Sequence, residues 1–191
     1  MLLSILLVAA ACQQKKVKEG QPAPDFAVET LSGVQLQFSR LQGQYLLLEF
    51  WSTNCEACRA NHPQIMRLRQ RYHNANFKLG DQFNVIGIAL NSDERAYRRI
   101  IREDDLQYRH YIMQQSPTEN MFDASLAKLY GVTALPAYFL IDGNGTVIGS
   151  DIPLDELEPL LKARSNEKKR AKMGFCGDYF ADSVGLLIAG D

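Results

Sequence analysis

This chain of 191 residues is poor in long apolar runs, in excess charge of either sign and in clustered cysteine, and each shortage excludes something. Its most apolar stretch, Met1 to Ala11, would cover only about half of a ~30 Å hydrocarbon core at ~1.5 Å per helical residue, so it is too short to span a bilayer. Lys and Arg number 21 against 22 Asp and Glu, a net charge of −1, and no long basic run crosses the body of the chain. Nucleic-acid binding therefore has no electrostatic support. The sequence holds four cysteines and no second Cys-x-x-Cys beside the one at 55 and 58, whereas structural zinc ordinarily takes four ligands. No internal repeat is visible. With 46% apolar residues, the length suits one globular domain with short appendages.

The ends read as those appendages. Residues 1–11 have the apolar character of an export signal, although no Lys or Arg precedes the run. Ala9-Ala10-Ala11 before Cys12 resembles the cleavage site of a bacterial lipoprotein, with Ala9 where that family usually has Leu. The resemblance implies a lipid on Cys12 and a membrane anchor facing the periplasm. Plain cleavage after Ala11 is the alternative, since Ala-x-Ala also suits ordinary signal removal. Both place the protein in the cell envelope, an oxidising compartment. Residues 12–19 then form a polar tether, residues 20–163 the domain, and residues 164–191 a basic and then mixed tail of unassigned role.

Within 20–163 the hydrophobic pattern switches between strand and helix periods. Phe26 to Glu29 and Val34 to Phe38 flank Leu31-Ser32-Gly33 and predict an N-terminal β-hairpin. Tyr45 to Trp51 is apolar except for Glu49, the pattern of a central strand covered on both faces. Thr53 or Asn54 is placed to cap the next helix, in which Ile65, Leu68 and Tyr72 share a face and Pro63 imposes a bend. Phe83 to Leu90 predicts a second buried strand. A helix follows from Asn91-Ser92-Asp93 to Asp104, and Ser125 to Tyr130 gives a shorter one. Pro136 to Ile141 and Thr146 to Gly149 form a hairpin around Asp142-Gly143-Asn144-Gly145, and Leu154 to Ala163 closes the periodic part. The order hairpin, β, α, β, α, α, β, β, α predicts an α/β fold with a mixed sheet flanked by helices.

Cys55 and Cys58 carry the chemistry. Two thiols three residues apart at a strand-to-helix junction can close a short disulfide and reopen it. Around them stand Gly20-Gln21-Pro22-Ala23-Pro24-Asp25-Phe26, Phe50-Trp51-Ser52-Thr53-Asn54-Cys55-Glu56-Ala57-Cys58-Arg59, Pro63, and Ala134-Leu135-Pro136-Ala137-Tyr138-Phe139-Leu140-Ile141-Asp142. In order and spacing these segments resemble the thioredoxin superfamily, and within it the exported TlpA/ResA-like thiol–disulfide oxidoreductases. The resemblance implies a thioredoxin-like fold, a cis peptide before Pro136 that faces the cysteines, and a substrate segment pairing with the backbone at Leu135. It places Trp51 under the pair, either as part of the substrate-binding surface or as plain core packing. It implies disulfide-bearing exported proteins as substrates, apocytochrome c among them, and a membrane electron donor, with no cofactor. The chain departs from relatives at Ala57, where a proline is common, at Asn54, where many have tryptophan, and at Asn61, where ResA-like members have glutamate. Glu49 matches the buried aspartate of thioredoxins.

Cys55, at a helix N-terminus where free N–H groups favour an anion, is the candidate nucleophile. Cys58, one turn deeper, is the resolving thiol. Glu49, among Leu46, Leu47, Leu48 and Phe50, is expected to have a raised pKa and to move the proton of Cys58. The alternative puts Glu49 at an edge, merely solvated. Glu56 sets negative charge beside the thiolate, which favours the enzyme disulfide and makes the dithiol a reductant, an effect that salt screens. An oxidase or isomerase using the same pair, and a non-catalytic peptide-binding module with a structural disulfide, are the competing functions. His62, four residues after Cys58, invites a metal reading that lacks its other ligands. His73 and His110 are expected at the surface, and Cys176 as a free thiol unless it pairs with a partner. Pro24-Asp25-Phe26 would also suit a peroxiredoxin, but the Pro and Thr that a peroxidatic cysteine needs upstream are not in place.

Overall fold

A computed structural model describes residues 16–29, 35–90, 93–113 and 121–166. The expected export signal, Cys12, the turn at Leu31-Ser32-Gly33, Asn91-Ser92 and Cys176 lie outside the described residues. In chain order the elements are Ala27–Glu29 (β1), Gln35–Gln37 (β2), Tyr45–Trp51 (β3), Glu56–Tyr72 (α1), Asn76–Phe77 (β4), Gly80–Asp81 (β5) and Phe83–Leu90 (β6). Then come Glu94–Glu103 (α2), Arg109–Met113 (β7), Ser125–Tyr130 (α3), Ala137–Ile141 (β8), Val147–Ser150 (β9) and Leu154–Arg164 (α4).

β1 and β2 pair as the N-terminal hairpin, and a five-stranded mixed sheet runs β7-β6-β3-β8-β9. β3, β6 and β7 are parallel, β8 returns antiparallel to β3, and β9 pairs antiparallel with β8. This is the thioredoxin-like α/β architecture. All seven residues of β3 are buried because it is the middle strand. Both parallel crossovers, through α1 and α2, run towards the β7 edge, so the right-handed rule lays both helices on one face of the sheet. There α1 and α4 pack on Tyr45, Leu47, Phe83, Val85 and Leu140. The other face, with Leu46, Leu48, Phe50, Ile86 and Phe139, is covered by α3 and the N-terminal hairpin.

The Gly20–Asp25 segment straps the sheet edge to that hairpin. Gly20 N–H donates to Val147 O at 2.8 Å, Val147 N–H to Gln21 O at 2.9 Å, and Ala23 N–H to Gly145 O at 2.8 Å. Asp25 then accepts from the N–H groups of Phe26 and Ser39, both at 3.0 Å. Across the molecule, Gly143 is dictated by close approach: a Cβ there would lie 1.8 Å from the Leu79 carbonyl oxygen, where the β4–β5 turn closes over it.

Two expectations are corrected. Neither Thr53 nor Asn54 caps α1; Cys55 does, its sulfur accepting from Cys58 N–H at 3.1 Å. A strand, β7, stands between α2 and α3 where the pattern gave none. It is the sheet's edge strand, opens on Arg109 and His110, and buries only Tyr111 and Ile112, so its sequence has no clean apolar run. Asp93 caps α2, accepting from Ala96 N–H at 2.8 Å.

Candidate active site

β3 delivers its last residues to the N-terminus of α1, and everything in the site follows from that junction. Cys55 and Cys58 are joined as a disulfide with their Cα atoms 5.2 Å apart. Cys58 is fully buried, packed with Trp51, Ala89, Tyr97, Ile100 and Ile112, whereas Cys55 is only half-buried. The two sulfurs thus differ in access before any chemistry starts. The Leu135–Pro136 peptide is cis, and Leu135, half-buried, packs on the same cluster as Cys55.

Trp51 lies beneath the pair, but its side chain is wholly buried, stacked on Tyr97 at 5.9 Å and edge-on to His62 at 5.2 Å. It therefore has no surface to offer a substrate, which corrects its assignment to the substrate-binding surface.

Glu49 is 0% exposed, and so is not a solvated edge residue. Strand register sets it in a row with Tyr138 on β8, Gly87 on β6 and His110 on β7. Burial pushes its carboxyl up to about 8, against the opposing effect of a hydrogen bond from the Tyr108 hydroxyl, which donates to Oε2 at 2.7 Å. Oε1 has no hydrogen-bond partner among the described residues. Tyr138, in turn, accepts from Asn61 Nδ2 at 3.1 Å, so Asn61 braces the neighbour of Glu49.

His62 points away from the cysteines. Its Nδ1 lies 2.7 Å from Asp104, and its Nε2 lies 3.6 Å from Glu49 Oε1. Burial acts upward on Asp104, but hydrogen bonds from Arg59 and His62 outweigh it and hold the group below its usual range. Arg59 grips the same carboxylate at 2.7 and 3.3 Å. Neither of the other histidines is a surface residue. His73 is half-buried with Nδ1 3.4 Å from Phe83 O. His110 is also half-buried, its ring 4.1 Å from that of Tyr108, and burial lowers it to about 3.

Tyr108 and Asp104 are the residues that the sequence reading missed. Both sit in the stretch between α2 and β7, and only the unrecognised strand brings that stretch across the sheet to Glu49.

A disulfide that caps its own helix, at the end of a strand carrying a buried acid in this fold, marks a thioredoxin-like thiol–disulfide oxidoreductase. The chain belongs to the AhpC/TSA family, whose sequence model matches residues 19–150. It is 29% identical to the thiol-disulfide oxidoreductase ResA of Bacillus thuringiensis subsp. konkukian over 138 residues, 71% of this chain and 70% of that protein. It is 32% identical to the thioredoxin-like protein YneN of Bacillus subtilis over 84 residues, 44% of this chain and 45% of that one. A thiol-disulfide oxidoreductase from Bacteroides fragilis superposes with a TM-score of 0.61 at 26% identity, covering 75% of this chain and 98% of that chain.

Proposed function

We propose that this protein works outside the cytoplasm, reducing disulfides in other exported proteins. The observation that carries the reading is the asymmetry of the pair: Cys55 is reachable, and Cys58 is sealed against Trp51, two residues along β3 from the buried Glu49. The Cys55 thiolate attacks a substrate disulfide, one S–S bond forms as the other breaks, and the leaving substrate thiolate takes a proton from water. Cys58 then gives its proton to the Glu49 carboxylate as its sulfur attacks Cys55. The second substrate sulfur leaves, two electrons have passed to the substrate, and the enzyme is left as a disulfide with Glu49 neutral. A dithiol donor at the membrane reverses these steps on the enzyme, and Glu49 returns the proton to Cys58.

The backbone at Leu135, before cis-Pro136, is the surface against which an extended substrate pairs. Glu56, exposed between the cysteines, tilts the pair towards the reductant direction. The apolar residues 1–11 and Cys12 support export and lipid anchoring, and exported proteins with paired cysteines, apocytochrome c among them, are the proposed substrates. Cys58→Ala tests the whole reading, because it removes the resolving sulfur and stalls the covalent intermediate. Reduced variant protein incubated with envelope extract should hold exported proteins on Cys55, identifiable by mass. A potential near about −270 mV fits a reductant, one near about −120 mV reverses the direction, and a pair that dithiothreitol cannot reach would leave only a binding module.

A further inference from the structure

We infer that His62 is the proton relay of this site, exchanging a proton between its Nε2 and Glu49 Oε1 while Asp104 fixes its tautomer and opens the route to solvent. The inference rests on Glu49 being the proton acceptor for Cys58. His62 acts through Glu49, so it is a positioning residue that touches no reacting sulfur.

Three features of the geometry carry it. First, the Tyr108 hydroxyl donates to Glu49 Oε2, so the acid proton of neutral Glu49 belongs on Oε1. Second, Oε1 and His62 Nε2 are both buried, both without a hydrogen-bond partner among the described residues, and 3.6 Å apart. That separation is just outside hydrogen-bond reach, and catalytic contacts are often long in a resting structure. Third, Asp104 is a carboxylate and can only accept, so His62 Nδ1 carries the hydrogen at 2.7 Å and Nε2 keeps its lone pair, aimed at Glu49.

The chemistry needs such a route. When Cys58 and Glu49 are both protonated, the carboxyl has no room for the thiol's proton and the mixed disulfide cannot resolve. One proton must leave a site whose two members are 0% exposed. It passes from Glu49 Oε1 to His62 Nε2, and the Nδ1 proton passes to Asp104, whose side chain is 14% exposed, and on to water. Glu49 ends as a carboxylate, His62 ends neutral with its hydrogen on Nε2, and one proton has been released. The Nδ1–H tautomer returns when Glu49, having given its proton back to Cys58, takes the Nε2 proton and Nδ1 recovers one from water through Asp104. The groups facing the ring permit this: Glu49 and Trp51 from β3, Asp104 at the end of α2, Arg59 on its own helix, and His110 from β7. Arg59, the cation among them, is engaged by Asp104 and Glu103, and the transient imidazolium keeps the Asp104 carboxylate as its counter-charge.

The test follows resolution of a mixed disulfide with a short synthetic cystine-bridged peptide, between pH 5 and 9, by fluorescence of the single Trp51 beside Cys58. In His62→Gln, formation of the mixed disulfide should stay within about twofold of the parent. Resolution at neutral pH should slow by about tenfold to a hundredfold, with the midpoint of its pH profile displaced upward. Asp104→Asn should move the midpoint the same way but less, because the tautomer is no longer fixed. Glu49→Gln should resolve slowly at every pH with no midpoint at all. A His62→Gln profile that overlays the parent, with Glu49→Gln still slow, overturns the relay and leaves Glu49 as the base. A fast Glu49→Gln overturns both. Should His62→Gln fail to fold, Asp104→Asn decides, and an unmoved midpoint there rejects the relay.

Discussion

Along β3, Leu46, Leu48 and Phe50 pack in one apolar cluster with Ile86, Ile88, Tyr130 and Phe139. The opposite face starts alike, with Tyr45 and Leu47 against Ile65, Leu68 and Phe83. Two residues later it turns into Glu49 and Trp51, beside His62 and Tyr108. The same seven-residue strand thus carries a face that only packs and a face whose second half leaves Glu49 Oε1, His62 Nε2 and Trp51 Nε1 without hydrogen-bond partners among the described residues. Each unsatisfied buried polar atom costs on the order of 1–3 kcal/mol. The sheet tolerates that cost because the other face is uninterrupted, and it tolerates it at the end of β3 that leads into the disulfide.

The sharpest way to separate the faces is to change one residue on each. Glu49→Gln keeps the Tyr108 hydrogen bond and removes the titrating group. It should slow resolution of a mixed disulfide by about 10²–10⁴-fold, measured in a single turnover, with formation of the intermediate unaltered. Leu48→Ala, one residue away and facing the other side, should cost about 2–5 kcal/mol of stability in urea titration. Per folded molecule, its resolution rate should match the parent's. If Leu48→Ala altered the chemistry as strongly as Glu49→Gln, the division between faces would be false.

Acid and alkali should strain the polar face in opposite senses. Folding raises Glu49 from 4.5 to about 8. Between these values the folded protein holds a proton that the unfolded chain has lost, so stability falls as pH rises towards 8. Folding lowers His110 from 6.5 to about 3. There the unfolded chain holds the extra proton, and stability falls as pH drops from 6.5 towards 3. The two slopes cancel between 4.5 and 6.5. Oxidised protein should therefore show a plateau in that window and lose up to about 2 kcal/mol on either side, at 1.36 kcal/mol per unit over about 1.5 units. Glu49→Gln should abolish the alkaline limb and, with its compensation gone, extend the acid limb up to about pH 6.5, whereas His110→Gln should extend the alkaline limb down to about pH 4.5 and weaken the acid one. An alkaline limb that survives Glu49→Gln would place the responsible group elsewhere.

How far the sequence reached follows the same division. Apolar runs such as Tyr45 to Trp51 and Phe83 to Leu90 coincide with their strands, because a strand buried on both faces writes itself as an unbroken run. Ser125 to Tyr130 likewise matches α3. The cysteine pair and Glu49 were legible for a local reason: one is a spacing, the other an acid inside an apolar run. Asp104, Tyr108 and the orientation of His62 were not. They depend on α2 and β7 folding back over the sheet, and β7 shows only one buried face and a charged start. Cys55 as its own helix cap was hidden too, since Thr53 and Asn54 are the better capping residues by type and the chain simply turns one residue later.

Gly87 offers the finest probe of the comparison, because it stands between Glu49 and His110 in the cross-strand row. A Cβ at this position would lie 2.7 Å from His110 Nδ1 and 3.2 Å from both Trp51 Nε1 and Tyr108 Cε2. The bare glycine is what lets these three rings close over the acid. Gly87→Ala should cost at least about 1 kcal/mol, the low end for overpacking, because the His110 ring must shift as a whole. The chemical effect should exceed the structural one. Displacing Tyr108 weakens its bond to Glu49 Oε2, which stabilises the carboxylate, so the pH midpoint of resolution should move upward. Ile88→Val, its neighbour on the apolar face, should cost a comparable ~0.5–1.5 kcal/mol and leave the midpoint in place. Equal midpoints in the two variants would mean that the Tyr108 contact does not tune Glu49.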